Sequence, residues 1–117
     1  MATIALVRTD FVDGCAALWT PLANSDDGAP AAFIGSGDRT VQVTGTFGTG
    51  GTVIIEGSLD GTTYFQLRDP THTVISLTAA GGRAVLENVP WIRPRVTGGD
   101  GTTSLTVRMH VRRNANV

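Results

Sequence analysis

Arg39-Thr-Val-Gln-Val-Thr-Gly-Thr-Phe-Gly-Thr-Gly-Gly-Thr-Val-Ile-Ile-Glu-Gly-Ser-Leu-Asp-Gly-Thr-Thr-Tyr-Phe-Gln-Leu67 decides the fold class. Val41, Val43, Gly45 and Phe47 alternate with Gln42, Thr44 and Thr46, the period of two of a sheet wetted on one side. Gly48, Gly50 and Gly51, and then Asp60-Gly61, are residues that tight reversals use. The stretch therefore reads as a three-stranded antiparallel meander, with residues 48–52 as a hairpin turn, and the rest of the chain reads as its cover.

Working outward, residues 74–78 and 84–89 each read as a strand, with Ile75 and Leu77 sharing one face and Pro90 stopping the second. Residues 91–97 and 103–112 read as a long hairpin around Gly98-Gly99-Asp100-Gly101. Its second arm alternates most regularly, with Leu105, Val107, Met109 and Val111 against Thr106, Arg108, His110 and Arg112. Upstream, residues 17–22 and 31–34 read as short strands, separated by a turn-rich loop and followed by a turn at Gly35-Ser36-Gly37-Asp38. Residues 1–15 are weakly patterned and interrupted by Asp10, Asp13 and Gly14, so they fit an N-terminal arm that seeks a neighbouring subunit, or a terminal strand on its own sheet. Eight or so short strands with frequent turns and no helical periodicity predict an all-β, antiparallel two-sheet sandwich. The expected core is Phe47, Val53, Ile55, Phe65, Leu67, Ile92, Val96, Leu105, Val107 and Met109.

The 117 residues fit one domain, taken as residues 16–117 behind the arm. Fifteen glycines suit a turn-rich β protein. A formal net charge of −1 supplies no field that would gather phosphates, which argues against a nucleic-acid partner. No run approaches the roughly 18 apolar residues needed to cross a bilayer, and residues 1–7 lack the form of a secretory leader, so no membrane partner is expected and synthesis is expected in the cytoplasm of the cell that makes it.

Chemistry is sparse. Cys15 is the lone thiol, and His72 and His110, the two histidines, belong to no catalytic motif. Three scattered Cys and His side chains fall short of a structural zinc site, and no loop spaces the carboxylates that calcium requires. The aspartates sit mostly in turns, where they cap backbone amides. No catalytic, metal or cofactor site is therefore expected, and the protein is not read as an enzyme. The most suggestive pattern is basic. If the last two strands pair with each other, Arg93, Arg95, Arg108, His110 and Arg112 project from one outer face as a stripe that suits a protein interface. Pro94 places its strand at an edge or a bulge. Trp19, Tyr64 and Trp91 are either core or contact aromatics.

Residues 40–47, 53–62 and 92–102 together resemble small proteins encoded in the structural gene clusters of tailed bacteriophages, the similarity running from about Trp19 to Val111. The resemblance implies a virion component on the capsid surface: a decoration or cement protein with a jelly-roll-like sandwich, bound to the major capsid protein as a homo-oligomer, a trimer being favoured. It brings no catalytic residues. Arg8 and Phe11 of the arm, with Arg93, Arg95, Arg108, His110 and Arg112 of the stripe, are the expected interface residues. The rival readings are a tail, baseplate or head-completion component, and a glycan-binding sandwich stacking sugars on Trp19, Tyr64 or Trp91.

Overall fold

A computed structural model describes residues 1–33 and 36–113, which form twelve strands and no helix. The larger sheet runs β1 (Thr3–Ile4), β4 (Asp27–Gly28), β11 (Trp91–Thr97), β7 (Thr52–Ser58) and β8 (Phe65–Gln66), with β5 (Ala31–Ala32) also on β11 and β9 (Ser76–Leu77) also on β7. The smaller sheet runs β10 (Gly81–Val85), β6 (Ser36–Thr46), β12 (Ser104–Arg113), β3 (Gly14–Leu22) and β2 (Val7–Phe11). Every named pairing is antiparallel except β1 on β4. The two sheets do not close into a barrel, so the expected all-β sandwich is the observed architecture.

The central connections differ from the expected hairpins. β6 lies in the smaller sheet and β7 in the larger, so residues 47–51 cross between sheets, and only β7 and β8 pair as the meander requires. Likewise β11 pairs with β7, β4 and β5 while β12 pairs with β6 and β3, so Gly98 to Gly101 is a second crossing. Because β6 neighbours β12 in one sheet and β7 neighbours β11 in the other, the crossings lie side by side at one end of the sandwich. They are tied there: the Thr49 amide donates to Asp100 Oδ2 at 2.9 Å, and the Thr103 hydroxyl donates to the Phe47 carbonyl at 2.8 Å. Gly48, at φ 71°, leaves space in which a Cβ would lie 2.4 Å from Asp100 Oδ1.

Residues 1–15 form no separate arm. β2 and β3 make a hairpin, with Phe11 opposite Gly14, and β1 is stitched to β4 by bonds from the Asp27 amide to the Ala2 carbonyl and from the Ala29 amide to the Ile4 carbonyl. Of the strand expected over residues 31–34, Ala31 and Ala32 form β5, while Ile34 and Gly35 lie outside the described residues. Ser36 to Asp38, expected in a turn, open β6. The strand expected at residues 84–89 begins earlier and spans Gly81–Val85, its glycines tolerated because β10 is an edge.

Inner faces follow the predicted alternation. Val41 and Val43 of β6, Val53 and Ile55 of β7, Ile92 and Val96 of β11, and Leu105, Val107 and Met109 of β12 are buried in one core cluster, with Leu67. Phe47, at a crossing, is half-buried, and Phe65 is exposed, because its two-residue strand overhangs the sheet margin opposite Gly57. Trp19 is fully buried and satisfies its indole N–H on the Ala29 carbonyl at 2.8 Å.

Pro94 lies on β11 between two neighbours, not at a sheet edge. The Val96 amide bonds to Asp26 on the β4 side, so the nitrogen of Pro94, two residues back, faces the gap between β4 and β5, where no ladder bond is lost. Its ring packs on Gly28: a Cβ there would lie 2.6 Å from Trp19 Cδ1 and 2.7 Å from Pro94 Cδ. Gly28→Ala therefore overpacks the junction of core and sheet, with an expected loss of about 1–3 kcal/mol in chemical denaturation. A wild-type midpoint for that variant would show that the site relaxes freely.

Candidate interaction faces

The seven residues expected at an interface are split between the two sheets. Arg93 and Arg95 lie on the outer face of the larger sheet, opposite Glu56 and Ile54 of β7. Arg108, His110 and Arg112 lie on the outer face of the smaller sheet, as does Phe11, whose ring centroid is 6.2 Å from that of His110. Arg8 is on β2 but points to the other side, opposite the inward-facing Ala17. A single five-residue stripe is thus ruled out: it required β11 and β12 to pair, and they belong to different sheets.

The two basic groups have different surroundings. On the larger sheet Arg93 Nε lies 3.1 Å from Glu56 Oε1, Arg93 Nη1 lies 3.8 Å from Asp27 Oδ2, and Arg95 Nη1 lies 3.6 Å from Glu56 Oε2. The Arg93 guanidinium also stacks 3.9 Å from the centre of the Tyr64 ring. Glu56 is buried, which two arginine partners make tolerable. Sequence reading missed this arrangement because Glu56 stands next to Ile54-Ile55 in a strand buried on both faces, where alternation between wet and dry is lost.

On the smaller sheet the basic side chains remain open. Arg108, His110 and Arg112 are exposed, and the contact from Arg112 to Asp38 is 3.9 Å long between exposed groups, an arrangement worth little in water. Beside them the β2–β3 hairpin presents apolar surface: Val7 is 57% exposed, Phe11 48%, and Val12 stands almost fully in solvent at the turn. Register places Val7 beside Leu18 and Leu18 beside Arg108, so apolar and basic side chains adjoin on one face. Val7 and Leu18 were not singled out in the sequence; their alternation with Arg8 and Ala17 was the available signal.

Protein-family models, curated proteins and solved structures yielded no match to this chain.

The turn aspartates are engaged locally. Asp60 Oδ1 accepts from the Thr62 and Thr63 amides, each at 2.8 Å, and Asp69 Oδ1 from the Thr71 amide and hydroxyl. Asp100 Oδ1 accepts from the Thr102 amide and hydroxyl, while its Oδ2 holds Thr49 of the other crossing. The Thr63 and Thr62 amides, then the Ser58 hydroxyl, hold the Asp60 carboxyl down at about 2. The Thr102 hydroxyl and then the Thr49 amide lower Asp100, and the Thr71 hydroxyl lowers Asp69. Among the described residues no group of three or more His, Cys, Asp or Glu side chains is placed to hold a metal ion. The Cys15 thiol is buried, and that burial raises its pKa.

Each lowered carboxyl stabilises the fold fully above the pKa of the unfolded chain, about 3.9, and ceases to do so as pH falls through its folded value. For Asp60 the window runs from about 4 down to about 2. The melting temperature should be level from neutrality to about pH 5 and fall below it, and Asp100→Ala should depress it more than Asp60→Ala, because Asp100 joins two connections and Asp60 only one. Thermal melts across that range check both statements. Glu56→Ala leaves Arg93 and Arg95 without their shared carboxylate; since both reach solvent, the expected cost in denaturant unfolding is about 1–2 kcal/mol and not that of a sealed ion pair.

Proposed function

We propose that this chain is a non-enzymatic structural component of a phage virion that docks on the major capsid protein and braces neighbouring capsomers from outside. The observation that carries this reading is the outer face of the smaller sheet, where exposed Val7 and Phe11 adjoin Arg108, His110 and Arg112. A face that combines apolar side chains with solvent-exposed arginines suits a protein surface that is partly apolar and acidic. Repeated over a lattice, modest contacts of this kind add up through multivalency, which is what bracing against internal pressure requires. The resemblance read in residues 40–47, 53–62 and 92–102 implies the same class of role.

The glycan-binding reading is less well supported. Trp19 is sealed in the core, one face of Tyr64 carries the Arg93 guanidinium, and Gly61 packs on Trp91, where a Cβ would stand 3.4 Å from the indole. Of the turn aspartates that would hold sugar hydroxyls, Asp60 accepts bonds from its own loop through Oδ1, and Asp100 accepts from Thr102 through Oδ1 and from Thr49 of the other crossing through Oδ2.

Purified protein should bind expanded, empty heads in regular copy number and raise the temperature at which they open. Phe11→Asp combined with Arg108→Glu should weaken that binding by roughly tenfold or more while the protein still unfolds cooperatively. Binding to tails alone would move the role to the tail, and affinity for neither particle would end the virion reading.

A further inference from the structure

β2 is the last strand of the smaller sheet, all five of its residues are exposed, and no strand among the described residues pairs with its far side. Only Val12 and Asp13 separate it from β3, and Phe11 is opposite Gly14. A two-residue connection requires the closing pair to exchange both backbone hydrogen bonds, and the alternation of antiparallel ladders then turns Thr9 and Val7 inward to β3 as well. The N–H and C=O groups of Arg8 and Asp10 therefore point off the sheet. Such a row of unpaired groups is a template for another strand.

The five residues Val7-Arg8-Thr9-Asp10-Phe11 are self-complementary about their centre. When two such edges run antiparallel around a twofold axis at Thr9, Arg8 of each copy lies opposite Asp10 of the other, and Val7 opposite Phe11. The pairs carrying outward-facing backbone groups are then the oppositely charged pairs, so ladder bonds and ion pairs form in one register. Sliding by two residues keeps the backbone bonds but sets Arg8 against Arg8 or Asp10 against Asp10. Sliding by one sets each outward-pointing residue opposite one whose backbone groups are already bonded to β3. The other exposed edge, β10, reads Gly-Gly-Arg-Ala-Val and has no acid to meet Arg8. The charges already stand at the edge: Arg8 Nε lies 3.1 Å from Asp10 Oδ1, and Arg8 Nη1 donates to the Ala32 carbonyl at 2.7 Å. Inward-pointing charges on an edge strand usually block pairing; a neutral pair placed symmetrically about the central residue selects a partner of the same sequence.

We propose that two copies of this chain join edge to edge along β2, in the antiparallel register centred on Thr9, so that their smaller sheets become one continuous sheet. The joining is twofold, in place of the threefold assembly that the phage resemblance implies, and it holds whether or not the protein decorates a capsid. Val7 and Phe11 then meet across the axis on the outer face, and the apolar strip beside Arg108 is doubled in length.

Sedimentation equilibrium of the full chain, with no virion component present, should show a reversible dimer at high micromolar concentration. Arg8→Asp and Asp10→Arg should each weaken it by roughly tenfold or more, since each sets like charges opposite one another. An equimolar mixture of the two variants should regain a dimer, as should the double variant R8D/D10R, and this recovery separates lost pairing from lost folding. Thr9→Cys should oxidise to a covalent dimer, because a central non-hydrogen-bonded pair holds its Cα atoms about 4.5 Å apart, within disulfide reach. The proposal is overturned by a wild-type monomer, by single variants that associate normally, by a mixture that stays monomeric, or by a trimer or open-ended series of oligomers.

Discussion

The carboxylate of Asp100 holds together two connections that sequence places far apart. Through the Thr49 amide it grips the passage from β6 to β7, and through Thr102 it shapes the passage from β11 to β12. The arrangement is a long two-stranded ribbon bent over on itself: β6 runs beside β12 in one sheet, β7 beside β11 in the other, and the bend lies between them. Facing sheets stand roughly 10 Å apart, a gap that four or five residues span. Core closure follows from the bend, since it turns Val41 and Val43 toward Val53 and Ile55 without a long loop.

The alternation of β12 and β11 was legible in the sequence because each has one wet face and one dry one. The choice of pairing partner was not. An apolar face in phase on two consecutive strands serves equally for neighbours in one sheet and for strands facing each other across the core, and a glycine-rich connection serves both. That ambiguity accounts for the misread hairpins at residues 48–51 and 98–101 and, through them, for the stripe that joined Arg93 to Arg108. β7 hid differently. Buried on both faces, Val53 to Ser58 contains a carboxylate and a glycine that look like surface residues until register brings Arg93 and Leu67 against them. The N-terminal fifteen residues fitted an arm as well as a terminal strand because all of β2 is exposed, so no face of it announces a core.

Two basic rows with the same spacing come to different ends. Arg93 and Arg95 stand over Glu56 and Asp27, supplied by adjacent strands, and their charge is spent inside the domain. The cross-strand neighbours are Leu18 and Gln42 for Arg108, Ala16 and Thr40 for His110, and Gly14 and Gly37 for Arg112, none of them acidic; Arg112 has only the long, exposed contact to Asp38. Strand pairing, and not the strand sequence, decides which row is available to another molecule. The larger sheet is finished on its outer side by its own ion pairs and Tyr64, whereas the smaller sheet is left with open charge, exposed aliphatic surface and an unmet edge.

That asymmetry bears on how a chain of this size would hold a large assembly in the proposed role. A domain whose two sheet faces differ in this way would favour one binding orientation, because covering open charge and aliphatic surface gains more than covering arginines that are already paired. If the open face also carries the strand edge, pairing of copies extends the binding surface in the plane of the sheet without consuming it, since edge contacts and face contacts point in perpendicular directions. Each copy then lends its neighbour orientation as well as effective concentration, and contacts too weak to act alone hold as a set. The ribbon is secured at Asp100 and Thr103, and the hairpin of β2 and β3 is the part that the proposed contacts would use.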